Sequence, residues 1–325
     1  MRYIVSRLIW GAIIVLLILV LNFLVIHMVP GDPLHALLGD FPVPPGYAEQ
    51  VRADFGLDQP LATQLGLYLL NLVQGNLGFS FANRMPVLDL ILGRLGPTVL
   101  LMVPALFFAA VFGVMLGVAA APRAGSVQDS ALTAISLFGY SVPIFWLGQM
   151  LIIVFAIHLG WFPAQGMRSM REELHGLDAV LNVTRHLALP AFSVMIFYIA
   201  IVSRVARASV AEALHHDYVL TAKAKGLSRR TILWRHVLPN ALIPVVTVIG
   251  YNFGHSLTGA ILVETVFAWP GIGSLFITSI TNRDYPVLQG IFLVAAVSVV
   301  IINMLTDLLY AYLDPRVRSS HARSA

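Results

Sequence analysis

The stretch from Asp217 to Asn240 reads DYVLTAKAKGLSRRTILWRHVLPN, and it is the only strongly basic segment of the chain. Asp217 can cap the N-terminus of a helix and Gly226 can end one in the left-handed conformation, so the residues between them predict a helix of about two turns. An isolated helix of that length is marginal in water, because helix nucleation carries a statistical weight of only about 0.001. We therefore expect this short helix to be held by something else.

The rest of the chain is far more apolar than a soluble domain. Of its 325 residues, 58% are hydrophobic and only 11% are charged, with a mean hydropathy of +0.83. Soluble domains carry about 25% charged residues, so this composition indicates an integral membrane protein. The chain has no cysteine, which excludes disulfides, thiolate metal sites and cysteine nucleophiles.

Six long windows of the sequence contain no charged residue, and each can supply the roughly 20 apolar residues that cross a bilayer. They cover residues 8–31, 95–122, 130–167, 186–203, 236–263 and 285–306. We end the third span near Ile157. The first window follows Arg2 and Arg7 as in a signal peptide, but it is too long for one and no small-residue cleavage site follows it. We therefore interpret it as an uncleaved span.

The distribution of basic residues orients these spans. An even number of spans places both termini on one side, and that side carries 13 Lys and Arg residues against seven on the other. By the positive-inside rule, both termini and the basic stretch are cytoplasmic. Residues 204–235 cannot form another span, because each of their seven basic side chains would cost about 2.5 to 3.5 kcal/mol at mid-membrane.

These predictions divide the chain into four parts. Residues 1–31 form the first transmembrane helix. Residues 32–94 form an external, periplasmic segment whose PGDP and PVPPG turns predict a small cap of short helices. Residues 95–318 form a five-helix core with a cytoplasmic loop at 204–238, and residues 319–325 form a disordered tail.

Several catalytic motifs are absent from the sequence. A P-loop ATPase needs a lysine that follows a glycine, and the two lysines, Lys223 and Lys225, each follow an alanine. The sequence contains neither HExxH nor GxSxG. Ser141 in GYSVP and His255 are a weak candidate pair for an intramembrane hydrolase, because no third group accompanies them. An ion channel would need charged rings or a filter sequence, and neither is evident.

Some features fit two interpretations. GVMLG at 113–117 and GYNFG at 250–254 are small-xxx-small patterns, which pack helices within one chain or against a second membrane subunit. His215 and His216 lie beside a basic face, and we expect them to be plain surface residues. Glu264, at the outer end of the fifth span, is either solvated or faces a polar pathway.

The basic stretch resembles a known family. Gly226 precedes Pro239 by 13 positions, which is similar to the EAA loop of bacterial ABC importer permeases. The three EAA positions and the expected isoleucine instead read Leu220, Thr221, Ala222 and His236. That departure is similar to the peptide-permease branch of the family, with DYxxTAxAKGL at 217–227 and HxLxNALIP at 236–244.

Five further segments resemble the first ("B") permease of dipeptide and oligopeptide importers. They are FLVIHMVPGDP at 23–33, FGLDQPL at 55–61, ETVFAWPGIG at 264–273, RDYPVLQG at 283–290 and DLLYAYLDPRVR at 307–318. GNLG at 75–78 departs from the GDLG that is common in the family. The resemblance covers nearly the whole chain, from Arg2 to Arg318.

The resemblance implies an all-α protein with six transmembrane helices and the type I ABC importer permease fold, in the bacterial inner membrane. It implies a second homologous permease subunit, two ABC ATPase subunits that bind ATP and magnesium, and an extracytoplasmic solute-binding protein. Surrounding lipid is a further partner, and nucleic acid is not. The chain itself is then a pathway, with no catalytic residue, metal or cofactor of its own.

In that family the short helix is the coupling helix, which docks in a cleft of one ATPase. The residues that carry this role are Asp217, Tyr218, Thr221, Ala222, Ala224, Lys225 and Gly226. Small side chains are expected to keep the helix surface thin and Tyr218 to anchor it, while the basic side chains stay in water or meet acidic rims. A basic helix lying on anionic lipid is the alternative.

The resemblance implies that the substrate is a dipeptide or oligopeptide, with nickel or glutathione as alternatives within the class. A peptide needs polar groups spread along a wide, wet cavity, and spans three and five carry such groups. The candidates are Tyr140, Ser141, Asn252, His255, Ser256, Thr258 and Glu264. Helical spacing places Asn252 and Ser256 on one face. Nickel would need converging His or carboxylate ligands, and no span carries a pair of them at i, i+4 spacing.

Overall fold

A computed structural model of the protein describes residues 2–28, 44–46, 49–50, 52, 58–80, 82–123, 125–169, 174–259 and 261–313. Most of the chain in these ranges is helical, which confirms the all-α fold class. The predicted tail at 319–325 and the PGDP turn of the external segment lie outside the described residues.

The helices and strands are numbered in the order in which they occur along the chain. The helices are α1 Arg2–His27, α2 Leu61–Val73, α3 Val87–Ala120, α4 Val127–Ser141, α5 Ile144–Leu151, α6 Gly176–Ala213, α7 Asp217–Ala224, α8 Arg229–Thr231, α9 Leu238–Gly259, α10 Ile261–Val266, α11 Ile272–Thr281 and α12 Tyr285–Leu313. A 3-10 turn at Ala121–Arg123 follows α3, and π-helical turns at Ile152–His158 and Ile232–Val237 continue α5 and α8. Strands β1 Phe79–Ser80 and β2 Met85–Pro86 pair antiparallel.

Helices cover five of the six predicted spans, and a bent pair of helices makes the sixth where the pair crosses the membrane as one span. Five stretches are long and apolar enough to cross a membrane, namely Ser6–Val25, Val87–Ala120, Gly176–Ala213, Arg229–Asn252 and Tyr285–Thr306. The third span is a bent pair, Asp129–Ser141 and Ile144–His158, with 93° between its two parts. Pro143 explains the bend, because proline lacks the N–H of a continuing helix and disfavours helical geometry at Val142.

The predicted orientation can be tested by reporter fusions. Fusions after Arg123, within residues 215–230 and after Arg318 should report the cytoplasm. Fusions near Glu49, Glu172 and Asn282 should report the external side, because the positive-inside rule places them there. Paired alkaline phosphatase and fluorescent protein fusions at each site would measure this. External activity of the fusion within 215–230 would contradict the orientation and the cytoplasmic role of α7.

The chain divides into two compact units. The first unit comprises Met1–Val99, Leu257–Ile261 and Pro270–Ile301, and the second comprises Leu100–Ser256, Leu262–Trp269 and Ile302–Ala325. Helices α3, α9, α10 and α12 each contribute residues to both units, so a unit is a packing cluster rather than a separate stretch of sequence.

The first unit contains the described part of the external cap. Its main core joins the start of α3 to α11 and α12, with Val87, Ile91 and Val287 fully buried. A second cluster packs Phe23 of α1 against Tyr68 of α2. The sequence predicted a cap of short helices. A β-hairpin follows α2, so the cap is not built of helices alone. Glycines with positive φ at positions 75 and 78 reverse the chain ahead of the hairpin.

A buried hydrogen bond holds this hairpin to the residue that precedes α12. The Ser80 hydroxyl donates to Asp284 Oδ2 at 2.5 Å, and both residues are buried. Asn83 donates to the Ser80 oxygen through its backbone N–H at 3.1 Å and its side-chain amide at 2.9 Å. Thr98 Oγ1 likewise accepts the backbone N–H of Ile272 at 2.8 Å. These bonds replace the hydrogen bonds to water that the polar groups lose when they are buried.

Asp284 is expected to make the stability of the protein depend on pH. Burial raises the pKa of its carboxyl, and the hydrogen bonds from Ser80, Val287 and Asn83 offset only part of that effect. The folded state therefore binds a proton more readily than the unfolded chain, so this residue stabilises the fold increasingly as pH falls from neutral toward the ordinary Asp pKa of about 3.9. Thermal unfolding of wild type and Asp284→Asn at pH 7 and pH 5 should show that wild type gains more on acidification. Equal gains would contradict this assignment.

The second unit is organised around α6, whose 38 residues measure about 57 Å at 1.5 Å per residue. The helix is longer than the roughly 30 Å bilayer core, so it extends beyond the membrane before it reaches α7. Gly113 and Gly117 of α3 pack directly on α6, where an added Cβ would lie 2.7 Å from Val202 and 2.6 Å from Ala206. The GVMLG pattern therefore serves packing within the chain. In GYNFG, Gly250 packs on Thr306 in the same way.

Candidate coupling helix and polar residues of the spans

The predicted short helix is present as α7, Asp217–Ala224. Gly226 has φ +76°, the left-handed conformation that was predicted to end the helix. Its N–H donates to the Lys223 carbonyl at 2.9 Å, and the N–H of Leu227 donates to the Ala222 carbonyl at 3.3 Å. This pair of bonds is a Schellman motif, which satisfies carbonyls that the helix end would leave free.

The start of α7 differs from the prediction. His216 occupies the capping position with extended geometry, φ −74° and ψ 151°, and its side chain makes no capping hydrogen bond. Asp217 is instead the first helical residue, so the expectation that it caps the helix is wrong. Its carboxylate still lies at the positive end of the helix dipole, where negative charge is favourable.

One face of α7 is buried against the chain itself. Val219 is fully buried and Ala222 is only 5% exposed. Both belong to a core cluster with Val118, Ala121, Val210, Ala213, Ile232, Val237, Leu238 and Ala241, contributed by α3, α6, α9 and their adjoining turns. Ala222 therefore does not lie on the surface offered to a partner, as the sequence led us to expect. We call Val219 and Ala222 the inner face of α7.

Tyr218 also turns toward the chain. Its half-buried ring packs against the same cluster and lies 5.7 Å from the His216 ring. Its hydroxyl is buried and has no hydrogen-bond partner among the described residues. The ring therefore fixes α7 to its own chain, and the role of Tyr218 as an anchor in a partner stays a prediction.

The opposite face of α7 is open. Asp217, Leu220, Thr221 and Ala224 are all exposed, and their i, i+3, i+4, i+7 spacing puts them on one side of the helix. We call these four residues the outer face. Leu220 is 60% exposed, although it is a large apolar side chain in a polar loop. The sequence interpretation left Leu220 out of the site, and its helical spacing from Asp217 was the signal that would have included it. The predicted residues Lys225 and Gly226 are exposed just beyond the helix.

The polar candidates on span three lie near its bend. Tyr140 is exposed, and its ring stacks on Phe197 of α6 with 5.5 Å between centroids. The guanidinium of Arg204 lies 5.6 Å from the centre of the same ring, within the range of a cation–π contact. Ser141 is the last residue of α4 and is exposed.

Four polar candidates of span five, Asn252, His255, Ser256 and Thr258, lie on α9, and their setting is only partly described. Asn252 Nδ2 donates to the Val248 carbonyl at 2.6 Å, so part of its hydrogen-bonding capacity is used within its own helix. Asn252 and Ser256 lie four residues apart on continuous helix, as the one-face prediction requires. The side chains of His255, Ser256 and Thr258 lie outside the described residues. The possible Ser141–His255 pair is therefore not defined by the structure.

Glu264 on α10 is fully buried, so the interpretation of a solvated carboxylate is wrong. Phe267 and Trp269, which follow it in the sequence, are also buried, and Gly148 of α5 lies close against the Phe267 ring. The Trp269 N–H donates to the Glu264 carbonyl at 2.8 Å and ends α10 tightly. Among the described residues, no group of three His, Asp or Glu side chains could hold a metal ion.

The sequence can now be placed among known proteins. Residues 113–319 match the family described as "binding-protein-dependent transport system inner membrane component", and residues 1–102 match the N-terminal domain of such membrane components. The chain belongs to this family. It is thus a multi-pass permease component of the inner membrane, as the charge-free windows and the resemblance predicted.

Several proteins similar to this chain are named as peptide permeases. The chain is 40% identical over 312 residues to the di/tripeptide transport system permease protein DppB of Pseudomonas aeruginosa, covering 92% of this chain and 93% of that protein. It is 38% identical over 318 residues to the dipeptide transport system permease protein DppB of Escherichia coli K12, covering 93% and 94%. A putative peptide permease of Brucella ovis is 39% identical over 320 residues, covering 98% and 99%.

A solved structure supports the fold. The inward-facing MetNI methionine ABC transporter, in its CY5 native crystal form, aligns with a TM-score of 0.55 at 16% identity and covers 69% of this chain and 96% of that one. The predicted type I ABC importer permease fold is confirmed.

Proposed function

We propose that this chain is the permease subunit of an ABC importer that carries short peptides, delivered by an extracytoplasmic binding protein, into the cell. The observation that carries this proposal is the 38 to 40% identity, over more than nine tenths of the chain, to proteins named as dipeptide or di/tripeptide permeases. Proteins this similar along their full length share their architecture, and function then depends on the sites that this architecture carries.

The proposed complex supplies what this chain lacks. The sequence has no phosphate-binding P-loop, so ATP and magnesium belong to two ATPase subunits on the cytoplasmic side. A second homologous permease subunit completes the pathway. The outer face of α7 is the docking surface for an ATPase, because it offers an exposed Leu220 between small and polar neighbours.

The inner face of α7 explains how docking reaches the membrane. Val219 and Ala222 contact residues of α3, α6 and the start of α9 in one buried cluster. Packed cores do not deform continuously, so a displacement of α7 moves the ends of these helices together. ATP binding that draws the two ATPases together therefore shifts three spans of this chain at once.

The pathway residues remain part of the proposal. Tyr140, Ser141, Asn252, His255, Ser256 and Thr258 place hydroxyl, amide and imidazole groups along spans three and five, which suits a peptide with many backbone donors and acceptors. Glu264 is buried in this structure, so it can serve the pathway only after a conformational change exposes it.

Uptake by sealed vesicles tests the substrate. Vesicles that carry the complete complex, its binding protein and internal ATP are given a labelled dipeptide, labelled glutathione or radioactive nickel. We expect ATP-dependent dipeptide uptake that unlabelled dipeptide suppresses and nickel does not. Nickel or glutathione uptake without dipeptide uptake would overturn the substrate assignment. ATP hydrolysis stimulated by the binding protein, measured in the same vesicles, reports on coupling separately.

A further inference from the structure

A small cavity in the second unit lies between α3, α4 and α6. Its volume is about 90 Å³, which accommodates a single terminal group rather than a whole peptide. Apolar residues close the side formed by α3. The polar groups that line it are Thr133, Ser136, Tyr140, Ser203, Arg204 and Arg207.

The two arginines of this cavity are in different electrostatic states. Arg207 is neutralised, because its Nε and Nη2 donate to the two carboxylate oxygens of Asp129, the latter at 2.6 Å. Asp129 is 4% exposed and also accepts the Gly125 N–H at 2.9 Å. Arg204, almost one turn earlier on α6, forms no ion pair within the described residues, and its recorded contact is the ring of Tyr140.

The Arg204 guanidinium extends from the cytoplasmic end of its span back toward the membrane. It lies over Tyr140, and that ring stacks on Phe197, seven residues or about 10 Å earlier on α6. Side chains of a helix tilt toward its N-terminus, which gives the guanidinium this direction. Arg204 is solvent-exposed, and no carboxylate among the described residues neutralises it, so its charge is available to an anion that enters the cavity from water.

The chemistry of the cavity favours a carboxylate. A planar guanidinium binds a carboxylate through two parallel hydrogen bonds. The hydroxyls of Ser136 and Ser203 lie 3.1 Å apart on the wall, and Ser203 donates to the Ala200 carbonyl at 3.3 Å. The Ser136 hydroxyl is therefore the serine donor that can turn to the same oxygens. Because Asp129 already neutralises Arg207, the cavity offers one positive charge, which matches one carboxylate better than a doubly charged phosphate.

We propose that Arg204, with Ser136 and Tyr140, binds the C-terminal carboxylate of a peptide that leaves the pathway toward the cytoplasm. This inference rests on the proposed function, since it takes the transported molecule to be a peptide. The site has a single role in recognition. The charge of Arg204 holds the C-terminal carboxylate of the peptide, and the neighbouring hydroxyls orient that carboxylate.

Equilibrium binding to the complete complex, without its binding protein, tests the proposal. A fluorescent dipeptide, its C-terminal amide and propionate are titrated against complexes in lipid nanodiscs that contain wild type, Arg204→Gln or Arg204→Lys. We expect Arg204→Gln to weaken dipeptide binding by about tenfold or more, since a charge-assisted bidentate contact is lost, and Arg204→Lys to recover part of it. The amide should bind the wild-type and Arg204→Gln complexes equally weakly.

Controls separate this proposal from folding and from the proposed function. Arg230→Gln removes an exposed charge outside the cavity and should bind the dipeptide like wild type. Stimulated ATP hydrolysis in Arg204→Gln shows that the variant is assembled.

Equal dipeptide binding by wild type and Arg204→Gln overturns the site. Displacement by propionate with the same affinity as dipeptide, together with normal dipeptide uptake in Arg204→Gln, assigns the site to cytosolic carboxylates and overturns the substrate role. If wild type takes up no peptide, the proposed function fails instead.

Discussion

Leu220→Glu and Ala224→Arg should abolish transport while the chain still folds and inserts. Both positions lie on the outer face of α7, and Leu220 is 60% exposed, so neither change disturbs the core of the chain. A charged group at the centre of a docking surface must be desolvated without a partner, which typically costs 2 kcal/mol or more, or about 30-fold in affinity. Co-purification of the ATPase subunits and ATP hydrolysis stimulated by the binding protein should both fall to background.

Matched changes on α7 distinguish docking from folding. Ala222→Arg places a charge in the buried cluster of the inner face, so we expect low amounts of protein in the membrane rather than a folded, uncoupled chain. Lys223→Gln alters an exposed residue off the outer face and should stay close to wild type. Gly226→Ala meets no atom within 4 Å but strains a φ of +76°, which costs about 1 kcal/mol. A Leu220→Glu complex with normal stimulated ATP hydrolysis would disprove the docking role of this face.

The existence of α7 was predictable from the sequence, but its orientation was not. Gly226 marks the end of the helix because few other residues adopt positive φ, and that signal is local. Which face of α7 is buried depends on residues far away in the sequence, such as Val118 and Val210. Residues 222 and 224 are both alanines of the same helix, yet Ala222 lies in the core and Ala224 is exposed to solvent.

The spans show the same division between local and distant causes. Charge-free windows predicted the six spans because the cost of burying charge is a property of each residue. The bend at Pro143 and the hairpin at Phe79–Pro86 were missed, the first because proline does not always break a membrane helix and the second because two-residue strands have no periodicity. Glu264 lies at the end of a span, which suggested solvent, but the fold buries it beside Trp269.

The sequence did not show which helix packs against the GVMLG pattern, and the reason is related. Small residues allow close approach of any helix, so the pattern does not identify its partner. The structure shows that the partner is α6, and it shows how little space is left. A Cβ at Gly117 would lie 2.6 Å from Ala206 Cβ and 2.7 Å from two backbone atoms, the Arg207 nitrogen and the Ser203 oxygen.

Gly117→Ala should therefore destabilise the protein and impair transport. Real Cβ atoms do not approach heavy atoms this closely, and backbone atoms cannot rotate away as side chains can, so α3 and α6 must separate. Overpacking of this kind typically costs 1 to 3 kcal/mol, and backbone contact places Gly117→Ala at about the upper end of that range. Separation also disturbs the cluster that holds α7, since Val118 of α3 and Val210 of α6 meet there. Thermal unfolding in detergent and dipeptide uptake measure the two consequences.

Gly93→Ala is the matched control, because it makes the same chemical change in the same helix. An added Cβ at Gly93 meets no atom within 4 Å, and the residue is exposed. Alanine favours helix over glycine by up to about 1 kcal/mol, so this variant should be as stable as wild type or slightly more stable, with normal uptake. Equal unfolding temperatures for Gly117→Ala and Gly93→Ala would show that α3 and α6 are not packed as closely as the structure has them. A loss confined to Gly117→Ala instead ties transport to the contact through which α3 and α6 hold α7.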